Sequence, residues 1–193
     1  MKNILYLAFV LLFISCGQKH KTNLQKEYIN TKVALGEKLF FDPILSLDNS
    51  ISCADCHQPK FAFADNKAFS IGVNDSLGNR NTPSVMNMAS RSFFFHDGRA
   101  ASLEEQASMP VENPVEMNLS FTEAVQRVKT NKAYFNLFSK IYHTEPNKDN
   151  ITNALAEFQR SLESDGSAPH DLWMNDIDPL AMSPSQQRGR TLF

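Results

Sequence analysis

The sequence predicts an all-α fold with long connecting loops, and three observations carry that reading. Apolar residues recur at helical spacing, most regularly at Ile151, Leu155, Phe158 and Leu162, which follow one another by four, three and four positions. Two Ser-x-x-Glu sequences, Ser102 to Glu105 and Ser120 to Glu123, have the form of capping boxes that open helices. Alternation of apolar and polar residues, the mark of a half-buried strand, is scarce.

In chain order, Lys2 precedes an apolar run from Ile4 to Ile14. As a helix that run rises about 16 Å, against a hydrocarbon core of roughly 30 Å. It reads as the apolar centre of a signal peptide over residues 1–15, not as a membrane span. Ser15-Cys16-Gly17 resembles a bacterial lipobox, with Cys16 as the lipidated first residue of an exported, periplasmic protein. The alternative is ordinary cleavage nearby, with Cys16 lost or left free. Residues 16–30 are polar and form a tether, so membrane association is expected only through the lipid. A first helix is predicted over Thr31 to Phe40 and must stop by Phe41, because Pro43 disfavours helix at Asp42. Residues 58–101 carry few helix signals, and a loop of that length usually serves function. Helices are then expected from Ser102, from Ser120 through Val128, around Phe135, Phe138 and Ile141, and over 151–162. Ser183-Pro184 is a good cap and first residue for one more. Gly189-x-x-Leu192-Phe193 repeats the spacing of Gly36-x-x-Leu39-Phe40, as though a second domain built like the first began there.

The formal net charge is −2 with charges of both signs dispersed along the chain, which leaves no basic stripe for nucleic acid. Of the three cysteines, Cys53 and Cys56 stand two residues apart with His57 next, a C-x-x-C-H motif. On one helical turn, two thiols so spaced reach two vinyl groups on a porphyrin edge, and the following imidazole turns toward the iron. The motif therefore predicts one covalently attached c-type haem with His57 as axial ligand. A redox dithiol would want a βαβ context, and structural zinc would want a second ligand pair. Neither occurs here. His20, His143 and His170 read as surface histidines.

From about Leu35 to Phe193 the sequence resembles the bacterial di-haem cytochrome c peroxidase family, in its N-terminal domain. The segments that carry the resemblance are LGEKLFFDPILS (35–46), SCADCH (52–57), GNRNTPSVMN (78–87), DGRAASLEEQA (97–107) and NPVEMN (113–118). It implies an all-α, cytochrome c-like haem domain over 31–165, with loops wrapped around the haem. Residues 166–193 then form a linker and the first helix of a second haem domain, and a second haem is expected in the full-length protein. By the same resemblance Glu116 is the acid–base residue for peroxide, Gln106 its hydrogen-bonding neighbour, and Asn81 a calcium ligand. On residue chemistry alone Glu112 is as eligible as Glu116 for moving the proton.

Two departures from the family pattern matter. Ile71-Gly72 is followed by Val73 where a histidine often closes the iron, and no histidine lies between His57 and His96. An open or water-bound site is expected. His96 stands where the family commonly has Trp, and a buried supporting role is expected for it, with iron ligation the alternative. The leading functional expectation is an exported peroxidase module reducing H2O2 with electrons from a small donor protein of cytochrome c or cupredoxin type. Association of two copies is a further expectation. A second expectation resembles the branch that oxidises Trp residues of a protein partner through high-valent iron. The third is a mono-haem electron carrier or a fragment without activity, for which Met86, Met88, Met109 and Met117 are candidate sixth ligands.

Overall fold

Thr31 caps the first helix of the computed structural model, which describes Tyr28 and residues 31–193. The signal peptide, Cys16, His20 and nearly all of the tether lie outside the described residues. The Thr31 hydroxyl accepts the Ala34 amide at 3.1 Å, and helix α1 runs from Lys32 to Phe40. Asp42 is extended, as the following proline demands, and its carboxylate accepts the Ile44 amide to start a 3-10 turn over Pro43–Leu45. Cys53–Cys56 forms a single helical turn, α2. Then come α3 (Leu103–Glu112), α4 (Phe121–Thr130), α5 (Lys132–Tyr142), α6 (Lys148–Ser161), α7 (Pro169–Met174) and α8 (Pro184–Thr191). The described residues hold no strand, only three isolated bridges, so the all-α expectation is met.

The predicted capping boxes form by halves. Ser102 accepts the Glu105 amide at 3.1 Å, but the Glu105 carboxylate reaches past it to the Ala101 amide. Ser120 accepts the Glu123 amide, while the Glu123 carboxylate turns to Arg127 at 2.8 Å. Arg127 also donates to the Ser46 and Leu47 carbonyls, which fastens the 46–49 turn to α4. Helix α7 was not anticipated, and Leu162 caps α6 from outside it.

The core sits where α1 crosses α6. Leu35, Leu39 and Phe40 pack there with Ile151, Leu155 and Phe158, all essentially buried. Gly36 lies at the crossing itself: a methyl on it would fall 2.6 Å from the Ala154 carbonyl carbon and 2.9 Å from Phe158 Cβ. Helix α3 lies along α6 through Leu103, Ala107 and Val111, and Tyr134 and Phe138 of α5 close the far side. By contrast a methyl on Gly189 of α8 would meet no other described residue within 4 Å, so the repeated Gly-x-x-Leu-Phe spacing carries different contacts at its two places.

Between α3 and α6, Glu104 accepts Arg160 at 2.8 Å and Asn153 at 3.1 Å. Partial burial opposes its ionisation, but the Arg160 and Asn153 hydrogen bonds and the Arg160 charge prevail and hold Glu104 below its ordinary value. A depressed carboxylate contributes stability that is full above its ordinary value and is lost as pH falls through the folded one. Because water screens the pair, Glu104→Gln is expected to lower stability by less than about 1 kcal/mol at neutral pH. Urea melts should show the difference vanishing in strong acid.

Residues 58–101 contain no α-helix. They fold as three tight reversals, closed at Gln58–Ala64, Ile71–Leu77 and Phe94–Ala100. Asn87 anchors the segment to the end of α6, its amide donating to Leu162 and its side chain accepting the Ser164 amide. The reversals thus form one wall of a cavity whose other wall is helical.

Candidate functional site

Ser52 is extended and caps α2, and the Asp55 carboxylate accepts both its amide (2.7 Å) and its hydroxyl (2.6 Å). One of the two variable residues of C-x-x-C-H therefore fixes the turn that carries the motif. The His57 amide closes the turn onto the Cys53 carbonyl at 2.9 Å. Cys53, Cys56 and His57 all line one cavity of about 1280 Å³. Neither cysteine is in a disulfide. Burial pushes Cys53 up to about 12 and raises Cys56 as well.

The imidazole is oriented by backbone alone. Its Nδ1 lies 3.1 Å from the carbonyl oxygens of both Phe63 and Pro83. A carbonyl can only accept, so Nδ1 carries the hydrogen and Nε2 keeps its lone pair. Burial lowers the His57 pKa against those two hydrogen bonds and so favours the neutral ring, the form that binds a metal. Ala62 and Phe63 both adopt positive φ, which turns the Phe63 carbonyl toward His57 and the Val85 amide. Each such residue costs roughly 1–3 kcal/mol. These residues fit a c-type haem: two thiols and a free imidazole nitrogen on one turn, facing a cavity walled by Phe40, Val85, Phe94, Leu103 and Val111.

Glu116 lines the same cavity, and the structure separates it from Glu112. Glu112 ends α3 pointing away, where it accepts the Phe121 amide and pairs with Lys148 at 3.6 Å. Burial raises the Glu116 pKa, opposed by a hydrogen bond from Asn113 and the charge of Arg99. Asn113 Nδ2 donates to Glu116 Oε1 at 2.7 Å. The expected neighbour, Gln106, lines the cavity too, but its Oε1 is buried with no hydrogen-bond partner among the described residues, and Asn113 is the group bonded to Glu116.

Asn81 is exposed at the cavity rim, its amide nitrogen donating to the Asp65 and Lys67 carbonyls. Among the described residues no group of three or more His, Cys, Asp or Glu is gathered to hold a metal ion. His96 is exposed at the rim, not buried as expected: the chain reverses at Phe95, and Phe94 takes the buried place. Val73 is buried. Met86, Met88 and Met117 line the cavity, whereas Met109 packs against the core. His143 and His170 are exposed. Sequence reasoning missed Asn113 and Arg99, although both lie inside quoted segments. It also missed the Ser52–Asp55 cap, for which the Ser-x-x-Asp pattern was a readable signal.

A cavity walled by helices on one side and by the 58–101 reversals on the other, which C-x-x-C-H enters from one turn, defines a c-type haem protein. The family model for di-haem cytochrome c peroxidase matches residues 30–178. The methylamine utilization protein MauG of Methylorubrum extorquens is 43% identical over 164 residues, 84% of this chain and 46% of that protein. Cytochrome c peroxidase Ccp of Escherichia coli K12 is 39% identical over 163 residues, 84% of this chain and 35% of that protein. A crystal structure of a MauG-like protein associated with microbial copper homeostasis matches with a TM-score of 0.75 at 27% identity, covering 83% of this chain and 48% of that one. This chain belongs to the di-haem cytochrome c peroxidase family, and it spans less than half the length of these relatives.

Proposed function

We propose that this chain is the peroxidatic haem module of an exported peroxidase. It reduces H2O2 to two waters with two protons and two electrons, the electrons coming from a small cytochrome c or cupredoxin-type protein through a second haem domain. The observation that carries this is the gathering of Cys53, Cys56, the free Nε2 of His57 and the half-buried Glu116 around one cavity. The haem, attached through Cys53 and Cys56 with His57 on its iron, supplies the redox-active metal. Glu116 takes a proton from one peroxide oxygen at a carboxylate oxygen and returns it to the other, which leaves as water. Its raised pKa suits it to hold that proton between the two transfers. Gln106 Oε1, unpartnered among the described residues, accepts a hydrogen bond from the peroxide, and Phe40, Phe94 and Leu103 give the cavity an apolar lining. Export, with lipid on Cys16, and calcium at Asn81 belong to the same proposal.

Val73 favours a second reading alongside it. Its buried side chain cannot ligate iron, and no histidine lies between His57 and His96. A site that needs no opening suits oxidation of a protein partner. The resting haem-loaded chain is expected to show an open or water-bound spectrum, and a purely six-coordinate low-spin spectrum would contradict that. The test between peroxidase and electron carrier is single-turnover mixing with H2O2. A rapid second-order reaction supports the enzyme, while an inert, sulfur-ligated centre supports the carrier.

A further inference from the structure

We propose that Gly72 and Asn113 are positioning residues that together fix the Glu116 carboxylate in the cavity. The proposal rests on the acid–base role given to Glu116 above. The turn of residues 71–77 lies flush against the turn of residues 114–117, which carries Val115 and Glu116. The Val73 amide donates to the Glu116 carbonyl at 2.8 Å. That approach exists only because residue 72 has no side chain. A methyl there would fall 2.5 Å from the Glu116 carbonyl oxygen, 2.8 Å from its Cα, and closer still to the Val115 carbonyl oxygen. All three are backbone atoms, so none can swing aside. The φ of Gly72 is −99°, within reach of any residue, so close approach and not conformation demands glycine here.

Asn113 holds the same residue from the other side. Its carbonyl accepts the Glu116 amide at 3.0 Å, its Oδ1 accepts the Val115 amide at 3.2 Å, and its Nδ2 reaches the carboxylate at 2.7 Å. One residue thus fixes backbone and side chain of Glu116, while Gly72 and the Val73 amide fix the carbonyl between them. Displacing a reacting group by roughly 1 Å can slow a reaction by about 100-fold.

The experiment uses the haem-loaded chain, stopped-flow mixing with H2O2, and the variants Gly72→Ala, Asn113→Ala, Glu116→Gln and the two double variants with Glu116→Gln. Gly72→Ala is expected to keep its haem and react about 10- to 100-fold more slowly. It should slow the Glu116→Gln background less than twofold, because no carboxylate remains to be misplaced. Asn113→Ala is expected to move the acid limb of the rate profile to higher pH, since the carboxylate loses its donor. The charge facing Glu116 there is Arg99 from the 94–100 reversal; Cys53 and Cys56 of α2 also face it but do not titrate once they carry the haem as thioethers. His96 stands at the rim. If Gly72→Ala fails to fold, Asn113→Ala alone decides through that pH shift. Single variants within twofold of the parent at an unmoved profile would overturn the positioning role while a slow Glu116→Gln left the acid–base role standing. Slowing of equal size in the Glu116→Gln background would also overturn it. A Glu116→Gln chain that reacts at the parent rate would remove the acid–base reading itself.

Discussion

Glu116→Gln is expected to leave the haem attached and to slow the reaction with H2O2 by about two to four orders of magnitude, the range typical of a lost general acid–base group. The amide keeps the size and the hydrogen-bond reach of the carboxyl but cannot take up a proton. Geometry is therefore held while the chemistry is removed. Covalent haem content and single-turnover rate are the paired measurements. A chain with normal haem and normal rate would exclude Glu116 from the proton path and reopen the search among the cavity residues. The same substitution has a stability signature of the opposite sense. Burial raises the Glu116 pKa, so the folded chain binds more protons than the unfolded chain between the ordinary value and the raised one. Stability then falls as pH rises through that window. The glutamine variant should be flat there and slightly more stable at neutral pH, even as it loses its rate.

Gly36→Ala should have the largest effect on the fold. Alanine gains about 1 kcal/mol over glycine in a helix interior. Against that, the new methyl would run into the Ala154 carbonyl of α6, a backbone group held in its own helix. Overpacking of this kind costs typically about 1–3 kcal/mol, more where backbone must move. The clash wins, and a net loss of about 2 kcal/mol is expected. For a chain of this size that lowers the melting temperature by about 4–8 °C. Gly189→Ala, at a glycine of the same local pattern with open space around it, is expected to be neutral or mildly stabilising. Melts of the two variants side by side separate helix preference from packing.

The helical half of the molecule was legible because its signals are local. Spacing marked Ile151, Leu155 and Phe158, and short polar residues marked the starts at Ser102, Ser120 and Ser183. Helix α7 escaped because it is short and presents no buried face to read. The haem motif was legible because covalent chemistry fixes both its residue types and its spacing. The reversals of residues 58–101 were not. Their shape depends on Ala62, Phe63, Asn74, Asp75, Asn87 and Phe95 at positive φ, with Gly98 the one glycine among these positions. Only tertiary contacts hold such residues there, and sequence pattern does not encode them. The same limit explains Glu112 and Glu116. Four residues apart and chemically alike, they are separated only by the end of α3, which sends one toward Lys148 and the other into the cavity. His96 was misplaced for a related reason, since the turn at Phe95 decides which neighbour is covered.

The two carbonyls on His57 Nδ1 carry a consequence for electron affinity. Acceptors pulling on that hydrogen make the ring a stronger base at Nε2, closer to an imidazolate than a free imidazole is. A ring of that kind pushes electron density onto whatever metal it binds, favours the oxidised form and lowers the reduction potential. That bias suits a centre that must surrender electrons to an oxidant, and it works against one meant to store them. Phe63 and Pro83 contribute it through backbone oxygens, so side-chain replacement at either position leaves the push in place as long as the reversal keeps its shape.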